Sequence, residues 1–233
     1  MARKTIERRQ ALKAIGGAGL GFAFGCGGAT AASPLAPSAP TPTPTGTPTA
    51  ACAVTPTETL GPFPSLTDLV RSDIRETRAG TVLTLTIKVV NANSSCAPVA
   101  NASVEIWHVD AAGNYSEYGS QAGQTYLRGI QTTNTSGEVT FTTIYPGWYQ
   151  GRATHIHLEV TIAGRSVKAT QFAFPEAVNN AVHGSGVYAS RGNNPLSNLS
   201  DGIFADSLSS ELVTPVGSPT SGYAATFQVG ISV

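Results

Sequence analysis

The strongest constraint on this chain is a period of two. In TVLTLTIKVV, residues 81–90, Leu83, Leu85, Ile87 and Val89 alternate with Thr84, Thr86 and Lys88. Successive side chains of a strand point to opposite faces, so this pattern makes a strand with one face in a core and the other in water. The alternation returns in ASVEIWHV (102–109), GEVTFTTI (137–144), HIHLEVTI (155–162), SVKATQFAF (166–174) and YAATFQVGIS (223–232). Ala112-Gly113-Asn114, Ser136-Gly137 and Ala163-Gly164-Arg165 are turn signals between the runs. No stretch sustains a long amphipathic helix and no repeat is visible. The expected fold is all-β, a β-sandwich. The Gly-, Asn- and Ser-rich stretch 176–220 is expected to form long loops, with at most a helical turn, that cover or line a site.

The first 50 residues do not fit that pattern. RKTIERRQALKAIGGAGLGFAFGCGG begins with basic residues and continues into an Ala/Gly/Leu/Phe run too short for a permanent membrane span. Residues 1–29 therefore read as a signal peptide. The pair Arg8-Arg9 followed by Gln10, Ala11, Leu12 and Lys13 resembles the bacterial twin-arginine export signal, used by proteins that often fold and load a cofactor before crossing. Cys26 after Ala23-Phe24-Gly25 loosely resembles a lipoprotein cleavage site. A lipid anchor at Cys26 stands beside the plainer expectation that this cysteine is lost with the signal. Residues 30–50, TAASPLAPSAPTPTPTGTPTA, lack charge and periodicity and read as a disordered Pro/Thr-rich linker. The folded domain is expected at 51–233, exported to the periplasm or cell surface.

Charge narrows the partners. The chain has 14 basic and 14 acidic residues, but five basics and one acid fall within the first 26, leaving 9 basic against 13 acidic, a net −4. No basic footprint for nucleic acid remains. Two cysteines persist beyond the signal, and in an oxidising compartment they are expected to form a Cys52–Cys96 disulfide. Two thiolate metal ligands are the rival reading, without the CxxC spacing that usually carries it.

The chemistry concentrates in YPGWYQGRATHIHLEV, residues 145–160. Two of only four histidines stand there at i and i+2. On a strand His155, His157, Glu159 and Thr161 share one face while Ile156, Leu158, Val160 and Ile162 take the other. Residues i and i+2 lie about 7 Å apart along a strand, near enough for two imidazoles to reach one ion. A solvated pair of surface histidines is the alternative. Phenols surround the pair: IYPGWY precedes it, and Tyr115 follows the Gly113-Asn114 turn. Phenol is a poor ligand for zinc or magnesium and a good one for a hard trivalent ion, which displaces its proton. Two phenolates with two neutral imidazoles would select ferric iron, Fe(3+), and keep it ferric.

ASVEIWHVDAAGNYS, TYLRGIQTTNTSGEVTFTTIYPGWYQGRATHIHLEV and TQFAF resemble the intradiol ring-cleavage dioxygenases, the family of protocatechuate 3,4-dioxygenase and catechol 1,2-dioxygenase, and especially its exported single-domain members. The likeness runs from about residue 57 to about 190, and its PGWY-Arg-HIH motif is far more specific than HxH alone. It implies a prealbumin-like β-sandwich and a non-haem ferric centre. The ligands would be Tyr115 from GNYS, Tyr149 from PGWY, His155 and His157. A small catecholic substrate and O2 would be the partners, with the ring opened between its two hydroxylated carbons. Tyr149 would leave the metal on substrate binding and take a substrate proton. Arg152 would hold a cation over the ring, against the alternative of a surface ion pair. Gln171 would be a hydrogen-bonding group behind the site or at the O2 position, against that of a strand-face amide. Tyr145 is expected to pack rather than ligate, and His108 to be a buried, hydrogen-bonded histidine near the site. His183 is expected on a loop.

Two departures matter. Where the family often has a TEGPYY-like stretch, this chain has TLGPFP at 59–64, so Leu60, Phe63 and Pro64 replace groups that shape the substrate pocket. The helical dimerisation segment of the catechol 1,2-dioxygenases is missing, which leaves the oligomer open. Two other readings stand beside the enzyme: an exported β-sandwich that binds a ligand without catalysis, and a zinc hydrolase using His155, His157 and a third histidine.

Overall fold

The computed structural model describes residues 52–233. The expectations for the signal, the lipid anchor at Cys26 and the linker lie outside the described residues.

The alternating runs become two sheets packed on one core. In the first, β1 (Val82–Asn91) is central. The two-residue β2 (Ala97–Pro98) runs antiparallel to it. In the second sheet, β3 (Ser103–Trp107) lies between β4 (Arg128–Thr132) and β6 (His155–Ile162), and β7 (Arg165–Ala173) closes the outer side of β6, all pairs antiparallel. In the first sheet, β5 (Glu138–Ile144) pairs antiparallel with β1, while β9 (Gly222–Ile231) pairs parallel with β1 and carries the short β8 (Val216–Ser218) outside it. Leu83, Leu85, Ile87 and Val89 of β1 share one buried cluster with Val104 and Ile106 of β3 and Ile156, Leu158 and Val160 of β6, all fully buried. Each such side chain contributes about 1.5–3 kcal/mol by leaving water. The fold is the expected all-β sandwich.

Three differences from the sequence reading have physical reasons. β4 reads RGIQT and shows no alternation, because Arg128 is itself buried at 1% exposure, its guanidinium donating to Ser116 and to the Phe63 carbonyl. The 176–220 stretch contains two short helices, α1 (Glu176–His183) and α2 (Leu208–Glu211). Pro175 precedes α1 and Glu176 stands in its first turn, where an acid complements the helix dipole. His183 is therefore not a loop residue: it ends α1, is 1% exposed, and its Nε2 lies 3.1 Å from the Pro146 carbonyl.

The N-terminal segment is a strap across the sandwich. Cys52 and Cys96 are bridged, with Cα atoms 5.6 Å apart. Thr55 N–H then donates to the Gly230 carbonyl and Glu58 N–H to that of Ala169, so the strap passes from β9 to β7 before reaching the outer face of β6.

Candidate metal centre

Because Ile156 and Leu158 face the core, His155 and His157 must face outward, yet they are only 3% and 2% exposed. The strap and the loops cover them. In register with His157 stand Trp107 on β3 and Gln171 on β7. The Trp107 indole lies flat against the His157 imidazole, centroids 5.0 Å apart and planes within 2°. His155 Nδ1 lies 2.6 Å from the Ala153 carbonyl. A carbonyl only accepts, so Nδ1 carries the proton and Nε2 presents a lone pair.

Three atoms then converge. His155 Nε2 and His157 Nε2 are 3.1 Å apart, and the Tyr115 hydroxyl is 3.2 Å from the first and 3.1 Å from the second. The turn that aims Tyr115 is tightly tied: Asp110 Oδ1 accepts from the N–H of Ala112 at 3.0 Å and of Asn114 at 2.9 Å. Gly113 sits there at φ 83°, where a Cβ would collide with the Trp148 carbonyl. On the strap, Gly61 has φ 71° and a Cβ would come within 3.0 Å of His157 Cε1. Only glycine lets the backbone pass so close. Beyond it Phe63 stacks on Tyr115 at 4.8 Å.

Burial dominates the electrostatics. It pushes His155 down to about 3, with the Arg152 charge adding to the effect. His157 is held well below its ordinary value by burial first and His155 second. Burial also raises the Tyr115 phenol above its usual range. Both imidazoles are thus neutral, the form in which histidine binds metal. Tyr149 is half-buried, its ring centroid 5.9 Å from that of Tyr115, and no hydrogen bond holds its hydroxyl among the described residues. Tyr115, Tyr149, Arg152, His155, His157 and the strap residues Pro62 and Phe63 line one hollow of ≈ 210 Å³.

Arg152 is paired, and with a buried acid rather than one on the surface. Its Nε donates to Asp201 Oδ2 at 2.9 Å and Oδ1 at 3.2 Å, and its Nη2 to Gln171 Oε1 at 2.7 Å. Asp201, 1% exposed, also accepts from the N–H of Ala153 at 2.6 Å and of Ile203 at 2.9 Å. The Gln171 amide is engaged at both ends, since its Nε2 donates to the Thr59 carbonyl at 2.7 Å. Asp201 was not singled out from the sequence. Its only signal is an acid inside a loop-rich stretch expected to line a site, and 49 residues separate it from Arg152.

The other histidines stay apart from the triangle. His108 is engaged at both nitrogens, by the Val109 carbonyl at 2.8 Å and Thr143 Oγ1 at 2.7 Å. Tyr145 is buried in the main core and its hydroxyl donates to Asn179 Oδ1 at 2.7 Å, so it packs as expected. Among the described residues no three His, Cys, Asp or Glu side chains gather where one ion could be held, so the third histidine of a hydrolytic zinc site has no counterpart there.

A family model described as Dioxygenase matches residues 60–180, just over half of the chain. An intradiol ring-cleavage dioxygenase from Tetranychus urticae is 29% identical, with a TM-score of 0.70 over 78% of this chain and 95% of that one. The dioxygenase domain of a dioxygenase and carbohydrate-binding protein fusion from Streptomyces sp. SirexAA-E is 27% identical, with a TM-score of 0.60 over 78% and 99%. A 3-chlorocatechol 1,2-dioxygenase from Rhodococcus opacus, 18% identical over 76% and 72% with a TM-score of 0.56, shares the fold. The sandwich, the match across its central strands and these likenesses together make the chain a member of the intradiol ring-cleaving dioxygenases, a family of oxidoreductases that generally use non-haem iron.

Proposed function

We propose that the protein holds a ferric ion through Tyr115, Tyr149, His155 and His157 and uses it, with O2, to open a catecholic ring between its two hydroxylated carbons. One observation carries the reading: a phenol oxygen and two imidazole nitrogens face one another at 3.1–3.2 Å in a buried place. Two donor atoms each about 2.1 Å from one first-row ion stand roughly 3.0–3.4 Å apart, so the triangle fits a shared ion. The His155 Nε2 lone pair and the Tyr115 oxygen, set this close to a second imidazole, suit a positive centre between them, and the phenol in the set favours a hard trivalent one. Ferric iron would supply Lewis acidity and draw electron density from the bound catecholate.

The chain's own residues do the rest. Tyr149, whose hydroxyl has no hydrogen bond among the described residues, would hold the ion as a phenolate, and as a phenolate it could accept a proton from a catechol hydroxyl. Arg152 presents its charge at the wall of the same hollow, where it favours negative charge developing on the ring. Asp201 and Gln171 fix the direction of that guanidinium and act through it. Phe63 and Pro62 give the hollow an apolar lining on the side of the strap. The Cys52–Cys96 bridge supports action outside the cytoplasm.

The test is oxygen uptake by the iron-loaded protein with catechol. One O2 should disappear per ring-opened diacid formed, with both atoms of labelled O2 found in the product. Hydrogen peroxide or a quinone as the product would contradict ring cleavage.

A further inference from the structure

Beside the hollow at the triangle lies a second one, of ≈ 180 Å³, and Phe63, Tyr115 and Tyr149 belong to the lining of both. Its remaining lining includes Asn114, Tyr118, Ser120 and Gln121, and none of its lining residues is charged. An apolar cavity of about 150 Å³ takes one benzene ring, so each hollow has room for one ring. Phe63 is the hub: its ring lies 4.8 Å from Tyr115, 5.2 Å from Tyr118 and 5.4 Å from Tyr149. A ring entering the second hollow would find aromatic partners at edge and face.

A carboxylate would find none of its own. Arg128 is 1% exposed and is engaged by Ser116, the Phe63 carbonyl, Ser65 and Glu117. Arg152 is held by Asp201 and Gln171. Arg191 packs against Gly113 of the lining from outside it, where its guanidinium stacks on Trp148 at 3.9 Å and donates to the Ala112 carbonyl. An acid in the hollow would meet only neutral polar groups in its lining, among them those of Asn114, Ser120 and Gln121.

We propose that the second hollow is a subsite for an uncharged aromatic arm on the catechol, which makes the substrate class a two-ring catechol whose second ring carries no acid, selected at Phe63 and Tyr118. This rests on the ring-cleaving reading above. Ser120 is the residue for a test, because it is exposed and makes only exposed hydrogen bonds through a side chain.

The iron-loaded protein is given catechol, a catechol with a phenyl group at ring position 4, and the same compound with a carboxylate on the phenyl ring. Turnover is followed by oxygen uptake, and binding by anaerobic titration calorimetry. The phenyl arm should raise kcat/KM and tighten binding about tenfold over catechol, the scale of one good aromatic contact, and the carboxylate should cancel that gain. Ser120→Trp, which fills the hollow, should erase the gain and leave catechol within about twofold. Ser120→Arg should restore the carboxylated compound. Catechol cleaved without any gain from the arm, or a gain that survives Ser120→Trp, overturns the subsite alone. Failure to cleave catechol and the armed compounds alike overturns the ring-cleaving reading and the subsite with it.

Discussion

Four histidines and a group of buried tyrosines divide between two regions of this molecule, and the regions differ in how their polar atoms are satisfied. In the packing region, Tyr145 donates to Asn179, Tyr188 donates to the Tyr145 carbonyl at 2.6 Å, and His108 is bonded at both nitrogens. His183, the fourth histidine, is held through Nε2 by the Pro146 carbonyl and leaves only Nδ1 without a partner among the described residues. At the triangle, Tyr115, His155 and His157 have mainly one another as partners, His157 Nδ1 has no hydrogen bond, and neither has the Tyr149 hydroxyl nearby, among the described residues. Burying polar atoms that have only one another, or no partner, costs free energy. A chain that keeps such an arrangement beside a well-satisfied one keeps it for what binds there.

The largest contrast should come from the histidines themselves. His157→Ala should lower iron affinity by about 10–100-fold or more, at least the scale set by outer partners of metal ligands, and abolish turnover. His108→Gln should leave iron content unchanged and cost about 1–3 kcal/mol of stability through its lost hydrogen bonds. Metal analysis beside thermal unfolding separates the two, and equal iron loss in both would erase the distinction between the regions.

A smaller effect is expected one step out from the triangle. Arg152→Ala should lower kcat by about 100–1,000-fold while iron content and the catechol-induced spectral change persist. Asp201→Asn should lower kcat by about 10–100-fold, since misdirecting a catalytic charge is costly, again with iron retained. If Asp201 only supported the fold, its loss would appear in Tm and not in the rate at saturating catechol.

Tyr145→Phe sharpens the comparison from the packing side. Losing its bond to Asn179 should cost about 1–2 kcal/mol, measured by denaturant unfolding, with the visible spectrum unaltered. A spectral change would bring Tyr145 into the metal set.

The smallest effect concerns Glu211, fully buried in α2, where Thr170 and Ser207 donate to it. Burial raises its carboxyl from an ordinary 4.5 to about 7, against the pull of those hydrogen bonds. The folded state therefore favours the protonated acid. Its contribution to stability is complete below 4.5 and is lost as pH rises through 7. Glu211→Gln should flatten Tm against pH across that window, a change on the order of a few degrees, without touching iron content. A wild-type Tm that does not fall across the window would refute the assignment.

The sequence made some of this legible because it was local. The HIH of β6 needed only strand alternation to put both imidazoles on one face, and its bounds, His155–Ile162, match the run read from the sequence. Phe63 and Pro64 were marked as departures at the pocket, and Phe63 does form its wall. What stayed hidden was non-local. Asp201 meets Arg152 only because loops with no periodicity return over β6. β4 escaped notice because buried Arg128 breaks the apolar pattern, its charge satisfied by groups distant in sequence. His183 looked like a loop residue because α1 has only eight residues and lies in a stretch rich in Gly, Asn and Ser.

The central claim is that phenol and imidazole together hold ferric iron at the triangle, and a visible spectrum tests it most directly. Protein loaded with ferric iron and freed of unbound metal should be coloured by tyrosinate-to-iron charge transfer, with about one iron per chain if these ligands form a single site. Tyr115→Phe and Tyr149→Phe should each weaken or shift that band, whereas Tyr145→Phe should leave it in place. A colourless protein that binds zinc in preference, or a band indifferent to both Tyr115 and Tyr149, would contradict the account.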